Sequence, residues 1–470
     1  MADKPLWRQA FDRVDRAVAP TLEGFVQTST FADAVSASLK LQADLRARLE
    51  RQTRRLWHAA NLPAGSDVTR LREQVAALDR QLRLLTAAID DARKDQRMPT
   101  PLLTAPSLRT PLDMASRVRR EVERNALRAR NGIKLAAGID RPPVGATPKD
   151  VVWQRDRVQL WRYRSNKVRY SPPLFVTFSL VSRSYILDLH PGNSFIEHLL
   201  DAGFDVFLLD WGVADERDAG NTLEDYVDGY LPAGIERALE VSGADEVNLL
   251  GYCFGGVLTL LSTAHNPDLP IRSLTTIATP VDYTGMGLFG DMFRDGRLEV
   301  DNVVDETGNV PPGVMRQSFR VLKPTAEAAQ YATLLENLWN DEYMVAYQTM
   351  THWSNDHIPF PGATARQTVD MLVRGNGFIN DTVRLAGDQV SLRDITCPFL
   401  NVVAERDHIV PVDAARPLTG LVGSDEPEEL LLNAGHIGLA VGRTAAKVTI
   451  PTIIEFLQRR SDELPAEEAV

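Results

Sequence analysis

Three residues of this chain have the types and the order needed for covalent chemistry. Cys253 sits in Val247-Asn248-Leu249-Leu250-Gly251-Tyr252-Cys253-Phe254-Gly255-Gly256-Val257-Leu258, an apolar run, a Gly-rich turn and a second apolar run. A nucleophile held on a sharp strand-to-helix turn needs small neighbours, because strand and helix approach closely there. Gly251, Gly255 and Gly256 supply them. The pattern is G-x-C-x-G, with sulfur where a serine oxygen is usual. At a helix N-terminus the dipole favours the thiolate. Asp407 follows the apolar run 399–403, and His436 follows the run 429–432. Loops at the carboxyl ends of strands are where open α/β sheets carry their sites. Singly, each residue has a plain structural reading: a buried Cys in a turn, a loop Asp, a loop His. Together, nucleophile, acid and histidine occur in that order, each after a strand, which points to a triad.

The roles follow from the chemistry. His436 takes the thiol proton; Asp407 orients the imidazole and stabilises its charged form. The oxyanion needs two backbone donors. Phe254, the residue after the nucleophile, is one candidate, and Val181, from the loop after the strand read at 174–181, is the other. His408 neighbours Asp407 and is a further candidate, although it also reads as a loop residue. Cys397, in Ile395-Thr396-Cys397-Pro398, reads as structural. Sulfur suits acyl transfer, since thioester exchange is nearly neutral in free energy and leaves the acyl group reactive toward an alcohol. Cysteine hydrolases use the same attack, so hydrolysis stays open.

These residues need a scaffold. Apolar runs at 157–163, 174–181, 205–210, 246–251, 273–277, 399–403 and 429–432 alternate with helical stretches. That rhythm predicts a mostly parallel, doubly wound sheet over 151–470, and the order Cys253, Asp407, His436 is that of α/β-hydrolases. The interval of about 285–385 breaks the rhythm, is rich in Trp, Met and Tyr, and reads as an inserted cap. Upstream, Val68, Leu71, Val75, Leu78, Leu82, Leu85 and Ile89 are spaced alternately by three and four, a heptad seam. Leu41, Leu45, Leu49 and Leu56 mark an earlier stripe. Residues 1–98 therefore read as a helical, coiled-coil-like assembly module, packed on its own chain or on a partner. Pro99, Pro101, Pro106 and Pro111 mark a linker over 99–114. A helical arm at 115–150 follows, carrying Arg117, Arg119, Arg120, Arg124, Arg128 and Arg130. The arginines read as a solvated face or as a surface for an anionic partner.

Composition narrows the function classes. Hydrophobic residues at 44% are enough for a sizeable core, and a formal charge of −11 argues against nucleic-acid binding. No run of 18 apolar residues predicts a transmembrane helix, and the N-terminus has no apolar signal region. Two cysteines favour a reducing cytoplasm over a disulfide framework. No C-x-x-C, H-E-x-x-H or phosphate-loop pattern implies a metal or nucleotide cofactor.

At this point the chain resembles a known family. Gly251-Tyr252-Cys253-Phe254-Gly255-Gly256 is similar to the cysteine lipase-like box of polyhydroxyalkanoate synthases. Tyr185-Ile186-Leu187-Asp188-Leu189, Asp210-Trp211-Gly212, Thr222-Leu223-Glu224-Asp225-Tyr226, Ala278-Thr279-Pro280-Val281-Asp282, Asp394-Ile395-Thr396-Cys397-Pro398 and Gly435-His436-Ile437-Gly438 also resemble family segments. The similarity covers roughly 115–460 and looks closest to the class III catalytic subunit. It implies polymerisation of (R)-3-hydroxyacyl-CoA, typically 3-hydroxybutyryl-CoA, with the polyester growing on the cysteine. CoA is then carrier and product, and no other cofactor is implied. It also implies a homodimer at the surface of cytoplasmic polyester granules, and a cap carrying Trp339, Trp353 and Asp356. Phe254 stands where the family often has Gln, and Ser182 where it usually has Asn. The extension at 41–89 is similar to part of the separate class III partner subunit, which implies a fusion carrying its activator in cis. A polyester depolymerase or acyl-CoA thioesterase of the same fold is the second reading. A granule-surface binding protein with a vestigial site is the third.

Overall fold

The computed structural model describes residues 6–26, 28, 31, 111–139, 141–322 and 326–465. The expected hairpin and heptad seam at 41–89 lie outside the described residues, as does most of the Pro-rich segment. Two compact units emerge, one formed by residues 1–43 with 126–470 and the other by 44–125. Of the second unit, the described part is the first half of the helix Pro111–Ala137. That helix begins inside the expected linker, with Pro111 in its first turn, where a missing N–H costs nothing. It also stops short of the expected limit at 150. Gly138 adopts φ +65°, and Ile139 N–H donates to the Lys134 carbonyl, closing the helix.

The first unit is built on one sheet. Its main strands are β1 (Lys149–Arg155), β2 (Val158–Tyr163), β3 (Tyr170–Thr177), β4 (Phe204–Asp210), β5 (Val247–Tyr252), β6 (Ile271–Ile277), β7 (Phe399–Ala404) and β8 (Pro427–Leu432). Their order across the sheet is β1-β2-β4-β3-β5-β6-β7-β8. Pairing is parallel from β4 to β8 and antiparallel at the β1–β2–β4 edge. The central strands are near-continuous apolar runs because helices cover both faces; every residue of β5 and β7 is buried. Seven of these strands match the runs read from sequence, with shifted ends. The run read as 174–181 belongs to a strand that leaves the sheet after Thr177, so Val181 stands in the following loop. The eighth, β1, is an edge strand whose residues are all at least partly exposed, with Val151 half exposed. It therefore lacks the apolar alternation that marks a strand.

Between β6 and β7 the chain leaves the sheet. It forms the helices Gly287–Arg294, Pro312–Val321, Ala326–Asn337 and Asp341–Asn355, and a short ladder of Asn309–Val310 with Phe360–Pro361. This is the interval expected to form a cap. Side chains from outside tie it down. Arg130 donates to the Asp341 carboxylate at 2.7 Å, and Asn131 donates to the Leu338 carbonyl at 2.8 Å. Arg8, on the helix Leu6–Val26, donates to Thr333 Oγ1 at 3.1 Å and lies 3.7 Å from Glu336. One residue of the arginine stripe is thus an anchor rather than part of a solvated face. Among the described residues no helix is long and apolar enough to cross a membrane.

Candidate active site

The apolar strand β5 ends at Tyr252, and the buried helix Phe254–His265 begins one residue later. Cys253 alone makes the turn, at φ 55° and ψ −123°, a conformation that costs a non-glycine residue free energy of order 1–3 kcal/mol. The surrounding structure over-determines it. Cys253 N–H donates to the Ile277 carbonyl at 2.8 Å, and Gly256 N–H donates to the Cys253 carbonyl at 2.9 Å. The three glycines leave no room for side chains. A Cβ on Gly251 would stand 2.5 Å from Gly256 Cα, and one on Gly255 2.4 Å from the Thr177 carbonyl oxygen. One on Gly256 would stand 1.9 Å from Thr279 Oγ1.

Asp407 and His436 come from the loops after β7 and β8 and are both buried. Asp407 Oδ1 accepts from the N–H groups of Ile409 at 2.8 Å and Val410 at 2.9 Å. Its Oδ2 accepts from His436 Nδ1 at 2.7 Å. That bond leaves Nε2 for the thiol, and His436 is hydrogen-bonded to Cys253. The Tyr252 hydroxyl donates to the His436 carbonyl at 2.6 Å and its ring meets the imidazole edge-on at 5.4 Å, holding the loop in place. Burial pushes the imidazole pKa down, but the charges of Asp407 and Cys253 and its hydrogen bonds to both outweigh this, raising it to about 10. The structure thus brings all three residues together, with the basic histidine between acid and thiol.

Two chambers meet at Cys253. The larger, about 500 Å³, is lined by the triad-side residues Cys253 and His436 and by Arg316, Arg320, Trp353 and His357 of the insert. The smaller, about 250 Å³, also opens on Cys253 and Phe254, and its walls are almost wholly apolar. Val181 lines both. Its N–H lies 3.5 Å from Ser179 Oγ, at the outer limit of a hydrogen bond. Phe254 N–H opens the helix, where first-turn donors have no intrahelical acceptor.

The other expected residues are dispersed. Trp353 is buried in the larger chamber, its Nε1 donating to the Arg183 carbonyl at 2.8 Å. Asp356 does not line either chamber; it accepts from the Tyr185 hydroxyl at 3.0 Å and lies 3.6 Å from Arg183. Trp339 is half-buried beside the N-terminus of the helix Asp341–Asn355, and His408 is exposed; neither lines a chamber. Sequence reasoning missed His357, although it directly follows Asp356. His357 donates to the Val181 carbonyl, lies tilted at 34° to the Phe319 ring with centroids 5.3 Å apart, and leaves a buried Nδ1 without a partner. Burial lowers its pKa, and the charges of Arg316 and Arg320 add to that, against the bond to Val181. Arg316 and Arg320 were missed as well, because an exposed arginine on an amphipathic helix looks alike whether it faces solvent or a cavity mouth.

The chain is also similar to known proteins. Residues 187–442 match the alpha/beta hydrolase fold, and residues 120–199 match the poly-beta-hydroxybutyrate polymerase (PhaC) N-terminus. The poly(3-hydroxyalkanoate) polymerase subunit PhaC of Allochromatium vinosum is 36% identical, over 70% of this chain and 93% of that protein. The subunit of the same name from Thiocystis violacea is 33% identical over the same shares. That of Haloferax mediterranei is 32% identical over 71% of this chain and 69% of that protein.

Proposed function

This chain belongs to the poly(3-hydroxyalkanoate) polymerase family, and we propose that it builds polyester from 3-hydroxyacyl-CoA as a thioester on Cys253. The observation that carries this reading is the strained Cys253 elbow joined to the buried His436–Asp407 pair. His436 accepts the thiol proton, and the thiolate attacks the acyl-CoA carbonyl. The oxyanion lies near the N–H groups of Phe254 and Val181. On collapse the CoA thiolate leaves and takes the proton from His436. The 3-hydroxyl of the next 3-hydroxyacyl-CoA, its proton taken by His436, then attacks the acyl-cysteine and expels the Cys253 thiolate; the lengthened chain is left as a CoA thioester, which Cys253 attacks in turn, releasing CoA and taking the chain back. Both Asp407 oxygens are already committed to Ile409, Val410 and His436, which favours His436 over Asp407 as the base for that hydroxyl.

The larger chamber suits the CoA arm. Arg316 and Arg320 bring positive charge to one wall of a chain whose net charge is −11, and CoA is polyanionic. No other cofactor enters the scheme. The protein acts at the surface of cytoplasmic polyester granules as a homodimer, with residues 1–98 supplying an activator's role in cis. Deleting 1–98 should then lengthen the lag or cut activity; unchanged kinetics would sink that part.

The central test incubates purified protein with 3-hydroxybutyryl-CoA and follows CoA release together with insoluble polymer. Both are expected, and both should vanish in Cys253→Ala. CoA release without polymer would make it a thioesterase; polymer made by Cys253→Ala would overturn the role of Cys253.

A further inference from the structure

The smaller chamber begins at the sulfur that would carry the acyl group, is walled by the insert, and has no arginine in its lining. Beyond Phe254 its walls are side chains such as Met286, Val303, Val314, Met315 and Val369. Phe254 forms its near wall, packed edge-to-face on Phe360 at 5.4 Å and 79°. Such a space takes an apolar guest and offers nothing to phosphates or to an amide-rich pantetheine arm. The acyl side chain is the apolar part of a 3-hydroxyacyl-CoA that lies beside that sulfur.

Size then narrows the guest. A dry apolar cavity of roughly 150 Å³ takes a benzene-sized molecule. This chamber is about 250 Å³. The methyl of a 3-hydroxybutyryl group would leave most of its apolar wall facing water rather than the acyl chain, a loss of hydrophobic burial. Each added methylene buried there favours binding roughly fourfold until the space is full. We propose that this chamber is the acyl side-chain pocket and that it selects 3-hydroxyacyl groups longer than four carbons. The proposal rests on the polymerase reading and adds to it the length of the monomer.

The test uses the full chain and initial rates of CoA release from 3-hydroxybutyryl-, 3-hydroxyhexanoyl- and 3-hydroxyoctanoyl-CoA. The expected result is a kcat/KM for the eight-carbon substrate at least about tenfold above that for the four-carbon one. Preference for four carbons overturns the proposal. Two variants locate the cause. Val314→Phe narrows the chamber at a half-buried position and should lower the C8/C4 ratio at least about tenfold; Met315→Ala widens it and should raise the ratio. If the ratio stays put in both, the chamber holds something other than the side chain, such as the outgoing polyester, and the proposal fails. Absence of CoA release from every substrate, 3-hydroxybutyryl-CoA included, would instead sink the polymerase reading on which it rests.

Discussion

The floor and the roof of the site are held in different ways. The floor is the carboxyl edge of the sheet, where backbone bonds and steric closure fix Cys253, Asp407 and His436. Cys253 is pinned by Ile277, Asp407 by two backbone N–H groups, and the His436 loop by Tyr252. The roof is the insert between β6 and β7; apart from a backbone bridge of His357 to Ser182 and a bond from Ala363 N–H to the Ala219 carbonyl, its outer fastenings are side chains: Arg130 to Asp341, Trp353 to Arg183, Tyr185 to Asp356. A floor closed by backbone tolerates almost no change and sets the reaction. A roof held largely by side chains can vary, and it walls the chambers in which the substrate is proposed to sit.

That contrast can be broken by substitution, and the effects should fall in order from floor to roof. Asp407→Asn should cost activity on the order of 10⁴-fold while the fold is kept, as loss of the orienting carboxylate does in hydrolytic triads. It should also change the pH dependence of stability. In the parent, the folded imidazole pKa of about 10 lies above the unfolded value of about 6.5. The ion pair's stabilisation is therefore complete below the unfolded pKa and lost as pH rises through the folded one. Urea unfolding across that window should show the loss in the parent, and much less of it in Asp407→Asn.

Gly255→Ala comes next, because its methyl would strike the Thr177 and Phe178 backbone. Overpacking of this kind costs about 1–3 kcal/mol or more, whereas Gly220→Ala, with open space around it, should leave the urea midpoint in place. On the roof, Arg316→Glu combined with Arg320→Glu should raise KM for a CoA thioester about tenfold through lost charge-assisted bonds. The same pair of changes should leave KM for an N-acetylcysteamine thioester, which has no phosphates, where it was. An equal rise for both thioesters would remove the arginines from CoA binding. Smallest of all, Trp353→Phe removes one hydrogen bond worth about 1 kcal/mol and should shift KM by less than tenfold, with kcat little changed.

The same division explains what could be read from the residues alone. The floor was legible because its chemistry is local: a Gly-flanked turn after an apolar strand, and an acid and a histidine after two more. Register and strand ends were less so, since Pro172 and Pro173 lie within β3 without ending it and β1 has no clean alternation. The roof was least legible. Arg316, Tyr331 and His357 reach one cavity from elements separated in sequence, and helical periodicity does not say which face looks into a chamber. Asp356 and Trp339 were read for the cap by resemblance, yet the first is spent on Tyr185 and Arg183 and the second lies off both chambers.

Arg8 gives the two chain ends unequal mechanical standing. Through Thr333 and Glu336 the first described helix grips a roof helix whose Tyr331 lines the larger chamber. The last strand, Asp462–Glu463, instead pairs with the beginning of β3, at the opposite edge of the sheet from Cys253. A load hung on the helix Leu6–Val26, whether a purification tag, a fluorescent fusion or a surface tether, would pull on a wall of the larger chamber. The same load on Asp462–Glu463 would pull on the sheet's far rim, which makes that strand the better anchor for immobilisation.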